Sequence, residues 1–74
     1  MREVTCSREA SRYLEENSPL IPDVWAALFG LREANYPPGE PYEDLYVIET
    51  EHHEIYYAWE SVDSKLVTAI RPLS

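Results

Sequence analysis

The chain has 74 residues and carries 14 acidic against 6 basic side chains, a net charge of −8. That length bounds one small domain with a marginal core, for which a second copy or a tight partner is expected. A hydrophobic content of 45% excludes a disordered acidic tail, and the single cysteine, Cys6, excludes an internal disulfide.

In chain order, Arg2 to Cys6 reads as a short strand with Val4 and Cys6 on one face. Ser7 is a helix N-cap. Ala10, Tyr13 and Leu14 then fall at i, i+3 and i+4, and Glu9 suits the helix dipole. Asn17 closes this first helix, and Ser18-Pro19 prevents its continuation. A second helix is marked by Ile21, Val24, Trp25, Leu28 and Leu31, with Pro22 in the first turn. Trp25 and Leu28 are expected against the sheet. Gly30 weakens this helix by up to ~1 kcal/mol relative to Ala, or marks a close backbone approach.

Asn35 to Pro41 reads as a loop, punctuated by Pro37-Pro38-Gly39 and Pro41. The period then changes to two. Leu45 to Thr50, Ile55 to Glu60 and Leu66 to Arg71 alternate as strands, joined by turns at Glu51-His52-His53 and Val62-Asp63-Ser64-Lys65. In the last strand, Leu66, Thr68 and Ile70 are set opposite to Val67, Ala69 and Arg71. Pro72 ends it. The fold class is therefore α+β in the order β-α-α-β-β-β, with two N-terminal helices packed on one antiparallel sheet. No apolar run reaches the ~20 residues of a membrane span, and Met1-Arg2-Glu3-Val4 opens no apolar signal region. A cytoplasmic location is expected.

The acids are unevenly placed. From Glu33 to Ser64 there is no lysine or arginine, while nine acids occur. Such a field repels phosphates and attracts cationic surfaces. The bland alternative is that the acids serve solubility or a salty habitat.

The order of elements resembles the RelE/ParE toxin superfamily over nearly the whole chain. The stretches that carry the likeness are His53-Glu54-Ile55-Tyr56-Tyr57, the charged turn after it, Leu66-Val67-Thr68-Ala69-Ile70-Arg71, and Leu28 to Arg32 ahead of a proline-rich loop. The resemblance implies one domain over residues 1–74 with the helix pair followed by a meander. The ribosome-dependent nucleases of that superfamily use Lys and Arg to hold RNA phosphates and an anionic transition state. Here Glu54 stands where the likeness expects Arg, and the loop before the meander offers Glu40, Glu43 and Asp44. Arg71 is the one cation near the C-terminal end of the sequence. The resemblance thus points to the fold and away from ribonuclease chemistry, while the gyrase-poisoning branch rests on other residues.

Glu51-His52-His53-Glu54 has metal-ligand chemistry, but adjacent strand residues point to opposite faces and no further ligand is spaced to help. It reads as a solvated hairpin tip, and no metal or other cofactor is assigned. Glu49 and Glu60 as a carboxylate pair need a pocket and split pKa values, for which a thin domain has little room. No catalytic residue is assigned. Cys6 reads as a small buried apolar residue. Both faces of the meander carry large side chains, so exposed aromatics ringed by acids make a protein-binding surface. Its expected residues are Glu49, Glu51, Glu54, Tyr46 and Tyr56. The expected partner is a protein with a basic surface, or a second copy. Direct nucleic-acid binding is not expected without a cationic groove. The leading reading is a catalytically silent RelE/ParE-like protein-binding domain. Its rivals are an acidic inhibitor or nucleic-acid mimic that blocks a basic protein, and an active translation-inhibiting toxin.

Overall fold

The computed structural model describes residues 1–17 and 21–73. The elements are β1 (Glu3–Cys6), α1 (Arg8–Asn17), α2 (Pro22–Glu33), β2 (Glu40–Tyr42), β3 (Leu45–Glu49), β4 (His53–Ser61) and β5 (Ser64–Pro72). They form one five-stranded sheet in the order β1-β5-β4-β3-β2, and the helices lie on one face of it. The α+β class and the hairpins near His52 and Asp63 are as the sequence indicates. The sheet is not purely antiparallel, however. β1 runs parallel to β5, because α1 and α2 carry the chain across to β2 at the opposite edge of the sheet and the β2–β5 meander then brings β5 back beside β1. β2, within the segment read as a loop, adds a three-residue edge to β3 through a turn at Glu43-Asp44.

The inner face alternates as a half-buried sheet should. Val4 and Cys6 of β1, Tyr46 and Ile48 of β3, and Ile55, Tyr57 and Trp59 of β4 point to the helices. They meet Ala10 and Leu14 of α1 and Val24, Leu28 and Leu31 of α2, with Ile21 just ahead of α2. Tyr57 is fully buried, stacks on Tyr46 with ring centroids 5.6 Å apart, and donates its hydroxyl to the Pro38 carbonyl at 2.6 Å. That bond ties the proline-rich loop to the core. Gly39 follows at φ +89°, where an added Cβ would sit 2.2 Å from the Val47 carbonyl oxygen, so only glycine passes there.

Alternation fails at one place on β5. Tyr56 pairs with Ala69 and Tyr57 with Val67, so Thr68 is an extra residue in a β-bulge. The bulge resets the phase. Lys65, Val67 and Ile70 are buried, whereas strict alternation puts Thr68 with Ile70 and opposite to Val67. It also anchors α1. The Ser7 hydroxyl donates to the Thr68 carbonyl at 2.8 Å and accepts the Ala10 amide at 3.2 Å, which makes it the helix cap the sequence indicates. α1 ends at Asn17, whose amide donates to the Tyr13 carbonyl; the Ser18-Pro19 stop lies outside the described residues.

Lys65 is not a turn residue. It is the second residue of β5, fully buried, and its ammonium donates to the carbonyls of Arg32 at 3.1 Å, Ala34 at 3.2 Å and Val62. It also lies 4.9 Å from the Trp59 ring centre. Burial pushes its pKa down, and the Arg2 charge adds to that. The charge is tolerated because three donors meet three carbonyls, of which Arg32 and Ala34 sit at the negative end of α2. Trp25, expected against the sheet, is 44% exposed, while Leu28 is buried as expected. The buried stripe of α2 is Val24, Leu28 and Leu31, which turns Trp25 and Phe29 to its flank. Gly30 faces open space, with nothing within 4 Å of an added Cβ.

Removing this cation leaves buried carbonyls without a donor. Lys65→Met should lower stability by about 2 kcal/mol or more, partly offset by relief of the buried charge. Lys65→Arg should not restore it, since a planar fork cannot place three donors around one point. Urea unfolding measures both, and an unchanged midpoint for Lys65→Met would show that the carbonyl cage adds nothing.

Candidate functional site

Two helices cover one face of the sheet, so the other face is open. Its side chains follow from the register. On β2, β3 and β4 they are Glu40 opposite Val47, Tyr42 opposite Leu45, Val47 opposite Tyr56 and Glu49 opposite Glu54. β5 adds Leu66, Ala69 and Arg71. Tyr42 and Tyr56 meet edge to face with centroids 5.6 Å apart. Arg71 lies over the other reach of Tyr56 at 5.6 Å, and the Tyr56 hydroxyl donates to Glu54 at 3.2 Å. A shallow cavity of about 300 Å³ opens here, lined by Tyr42, Leu45, Tyr56, Thr68, Ala69 and Arg71, with Glu9 at its rim. Burial raises the Tyr56 pKa, and acceptance of its proton by the Glu54 carboxylate raises it further.

Of the residues read as partner-binding, the structure gathers Glu49, Glu54 and Tyr56 on this open face. Glu51 is exposed in the adjoining turn, 3.5 Å from His52. Tyr46 is on the opposite face, stacked against Tyr57 within the core layer, so it cannot share a surface with Tyr56. Tyr42 and Leu45 complete the aromatic patch in its place. Leu45 lies in a strand that the alternation indicates, whereas the signal for Tyr42 is β2, which Pro41 and the acids around it disguise as loop.

The strongest polar constellation lies on the other side of the sheet. His53 is not at a solvated tip: it is 6% exposed and both ring nitrogens are engaged. Nδ1 lies 2.9 Å from the Asp23 carboxylate and Nε2 lies 2.8 Å from the Tyr13 hydroxyl. A carboxylate only accepts, so Nδ1 donates to Asp23. The same Asp23 oxygen accepts from the Thr50 hydroxyl at 2.7 Å and the His52 amide at 3.2 Å. The Thr50 hydroxyl accepts the His53 amide in turn at 2.9 Å. The Thr50 bond, then those from His53 and His52, hold the Asp23 carboxyl well below its usual range against the opposing effect of burial. A Tyr-His-Asp chain has the parts of an acid–base relay. Here the Tyr13 hydroxyl, both His53 nitrogens and Asp23 Oδ2 are each engaged by a neighbour, and the cavities beside Tyr56 and beside β1 are lined by other residues. It joins α1, α2 and the β3–β4 hairpin.

Among the described residues no group of three or more His, Cys, Asp and Glu side chains is arranged to hold a metal ion. Burial raises the Cys6 thiol pKa, the opposite of what a nucleophile needs. No described helix is long and apolar enough to cross a membrane. In comparisons with known proteins, the chain matches no family model, no curated protein and no solved structure.

The Asp23 network predicts an acid dependence of stability. Its folded pKa is depressed, so its contribution is complete above about pH 5 and is lost progressively as pH falls below about pH 4. Asp23→Asn should cost about 1–3 kcal/mol at neutral pH and flatten the acid limb of the stability curve. Urea midpoints between pH 7 and pH 3 check this, and parallel curves for the two proteins would remove Asp23 from the account.

Proposed function

We propose that the protein works by binding a protein partner with a basic surface through its open sheet face, as a catalytically silent domain of RelE/ParE-like arrangement. The observation that carries this reading is the face itself. It sets Tyr42, Leu45, Val47 and Tyr56 side by side and borders them with Glu40, Glu49 and Glu54. Small proteins rarely leave large apolar side chains contiguous on a surface unless something covers them, and aromatics in a polar rim are the composition of interface cores. The acids steer a cationic partner, and the rings hold it once it arrives.

Two observations weigh against nucleic acid as the direct ligand. The window from Glu33 to Ser64 has no lysine or arginine, and the Arg71 guanidinium on this face is taken up by the Tyr56 ring. A phosphate backbone would meet a repelling field. The acidic-inhibitor reading uses the same field but asks for scattered acids that imitate phosphates. The aromatic patch favours a mixed apolar and ionic interface instead.

Immobilised wild-type protein, a Glu49→Gln/Glu51→Gln/Glu54→Gln variant and Tyr56→Ala should capture the same partner to different extents. With that partner purified, the triple variant should associate at least about tenfold more slowly at low salt, a difference that fades as salt rises. Tyr56→Ala should mainly speed dissociation, by about tenfold or more. Equal association rates for wild type and triple variant at low and high salt would assign the acids to solubility. mRNA cleavage by wild type that disappears with Arg71→Ala would replace the binding reading with a catalytic one.

A further inference from the structure

The two edges of the sheet are built differently. β2 is three residues long, contains Pro41 and is flanked by Glu40 and Glu43, with Glu43 at φ 54° in the tight turn. Proline, acids and shortness are how edges are kept from pairing. β1, at the other end, is one residue longer, has no proline and carries its one acid, Glu3, at its first position; Val4, Thr5 and Cys6 are uncharged, and the strand is regularly paired to β5. The amides of Glu3 and Ser7 donate to the carbonyls of Asp63 and Val67 at 2.9 and 2.8 Å. Odd positions therefore face β5, and Val4 and Cys6 turn their N–H and C=O outward. Among the described residues no strand receives them.

Beside this edge is a groove of about 530 Å³. Its apolar lining is Val4 and Cys6 of β1, Leu14 of α1, and Trp25, Leu28 and Phe29 of α2. Phe29 is 64% exposed and Trp25 44%, so the apolar wall stands next to unpaired backbone. The charges lining the groove are Arg2, Arg32 and Glu3, a local excess of one cation on a chain of −8. Two such chains repel each other, and this is the edge where the acids of β2, β3 and the β3–β4 turn are farthest along the sheet.

We propose that β1 is the seam of a homodimer, in which two copies pair their free edges antiparallel to make one ten-stranded sheet. A two-fold axis through Thr5 places Val4 of each copy opposite Cys6 of the other. These are the residues whose backbone groups point outward, so both become hydrogen-bonded pairs, with Thr5 facing Thr5 between them. Both helix layers then lie on one side. Each groove is closed by the β1 and α2 of the other copy, which covers Trp25 and Phe29. Glu3 of each copy comes opposite Ser7, one residue from Arg8, while Arg2 is held by the Glu33 carbonyl and the Asn35 side chain. The arrangement is isologous and closes at two. It uses the edge and not the open face, so it stands or falls separately from the proposed partner-binding surface.

Sedimentation equilibrium of the full chain should give twice 8.6 kDa. Phe29→Glu and Thr5→Lys change exposed side chains and should each return the mass to that of one chain, with an unchanged circular dichroism spectrum. Thr5→Cys in a Cys6→Ser background should form a covalent dimer on mild oxidation, because a facing non-hydrogen-bonded pair brings the two Cβ atoms within reach. Wild type that stays at 8.6 kDa up to about 1 mM would overturn the proposal, since association weaker than that is negligible. So would a dimer that persists in both charge variants, or one that Thr5→Cys does not cross-link.

Discussion

Helix α2 is fixed to the sheet at both ends by buried polar side chains, and the arrangement of every surface follows from that. At its first turn Asp23 accepts from Thr50, His53 and His52 of the β3–β4 hairpin. At its last turn Lys65 of β5 donates to the Arg32 and Ala34 carbonyls. A twelve-residue helix with one buried stripe of Val24, Leu28 and Leu31 has limited apolar area to hold it in one orientation. Charge-assisted bonds in a low-dielectric layer are directional, so they set the helix where the apolar stripe alone would allow it to slide or roll. His53 carries the constraint on to Tyr13, and through it α1 is located as well.

With α2 held in this way, its flank rather than its stripe overhangs β1. That is why Trp25 and Phe29 are exposed beside an unpaired edge. It also explains why, among the described residues, no helix packs on the second face of the sheet, where α1 contributes only Glu9 at a cavity rim: both helices are committed to the first. The outer face must then be stabilised by its own neighbours. Tyr42 against Tyr56, and Arg71 over Tyr56, are cross-strand contacts of that kind. They hold the patch in one arrangement, which would lower the entropy cost of the proposed binding.

Much of the fold was legible because periodicity reports burial. The Val24-Leu28-Leu31 stripe, the Ser7 cap and the alternation of Ile55, Tyr57 and Trp59 all came from residues whose polarity agrees with their place. The reading failed where polarity and place disagree. Lys65 and His53 look like turn residues and are buried, because partners distant in sequence satisfy them. Thr68 looks like one step of an alternation and is a bulge, which a single strand's pattern cannot reveal without its partner. The parallel pairing of β1 depends on where the crossover returns, and no local signal encodes that. For the candidate site, Glu49, Glu54 and Tyr56 were readable as one outward face, since i and i+2 in β4 share a side. Tyr46 was misassigned because it alternates with apolar neighbours on both faces, and only its pairing with Tyr57 decides the matter.

The distribution of charge bears on whether the acidity is habitat or function. A general need for solubility acts on all exposed surface alike. Residues 1–33 hold four arginines against six acids, and the helices intersperse both signs, as in Arg8-Glu9 and Arg32-Glu33. Residues 34–74 hold one lysine and one arginine against eight acids. Of those two cations, Lys65 is buried in its carbonyl cage and projects no charge to solvent contacts, and Arg71 rests on Tyr56. The exposed field of the β2–β4 region is therefore more one-sided than the composition states. Among these acids Glu49 and Glu54 face each other directly across β3 and β4, a placement that disfavours like charges. Arg71 lies opposite Glu54 on its other side, which leaves Glu49 at the outer end of the row without a facing cation. That is the physical reason to read the acidic face as one that a basic partner completes.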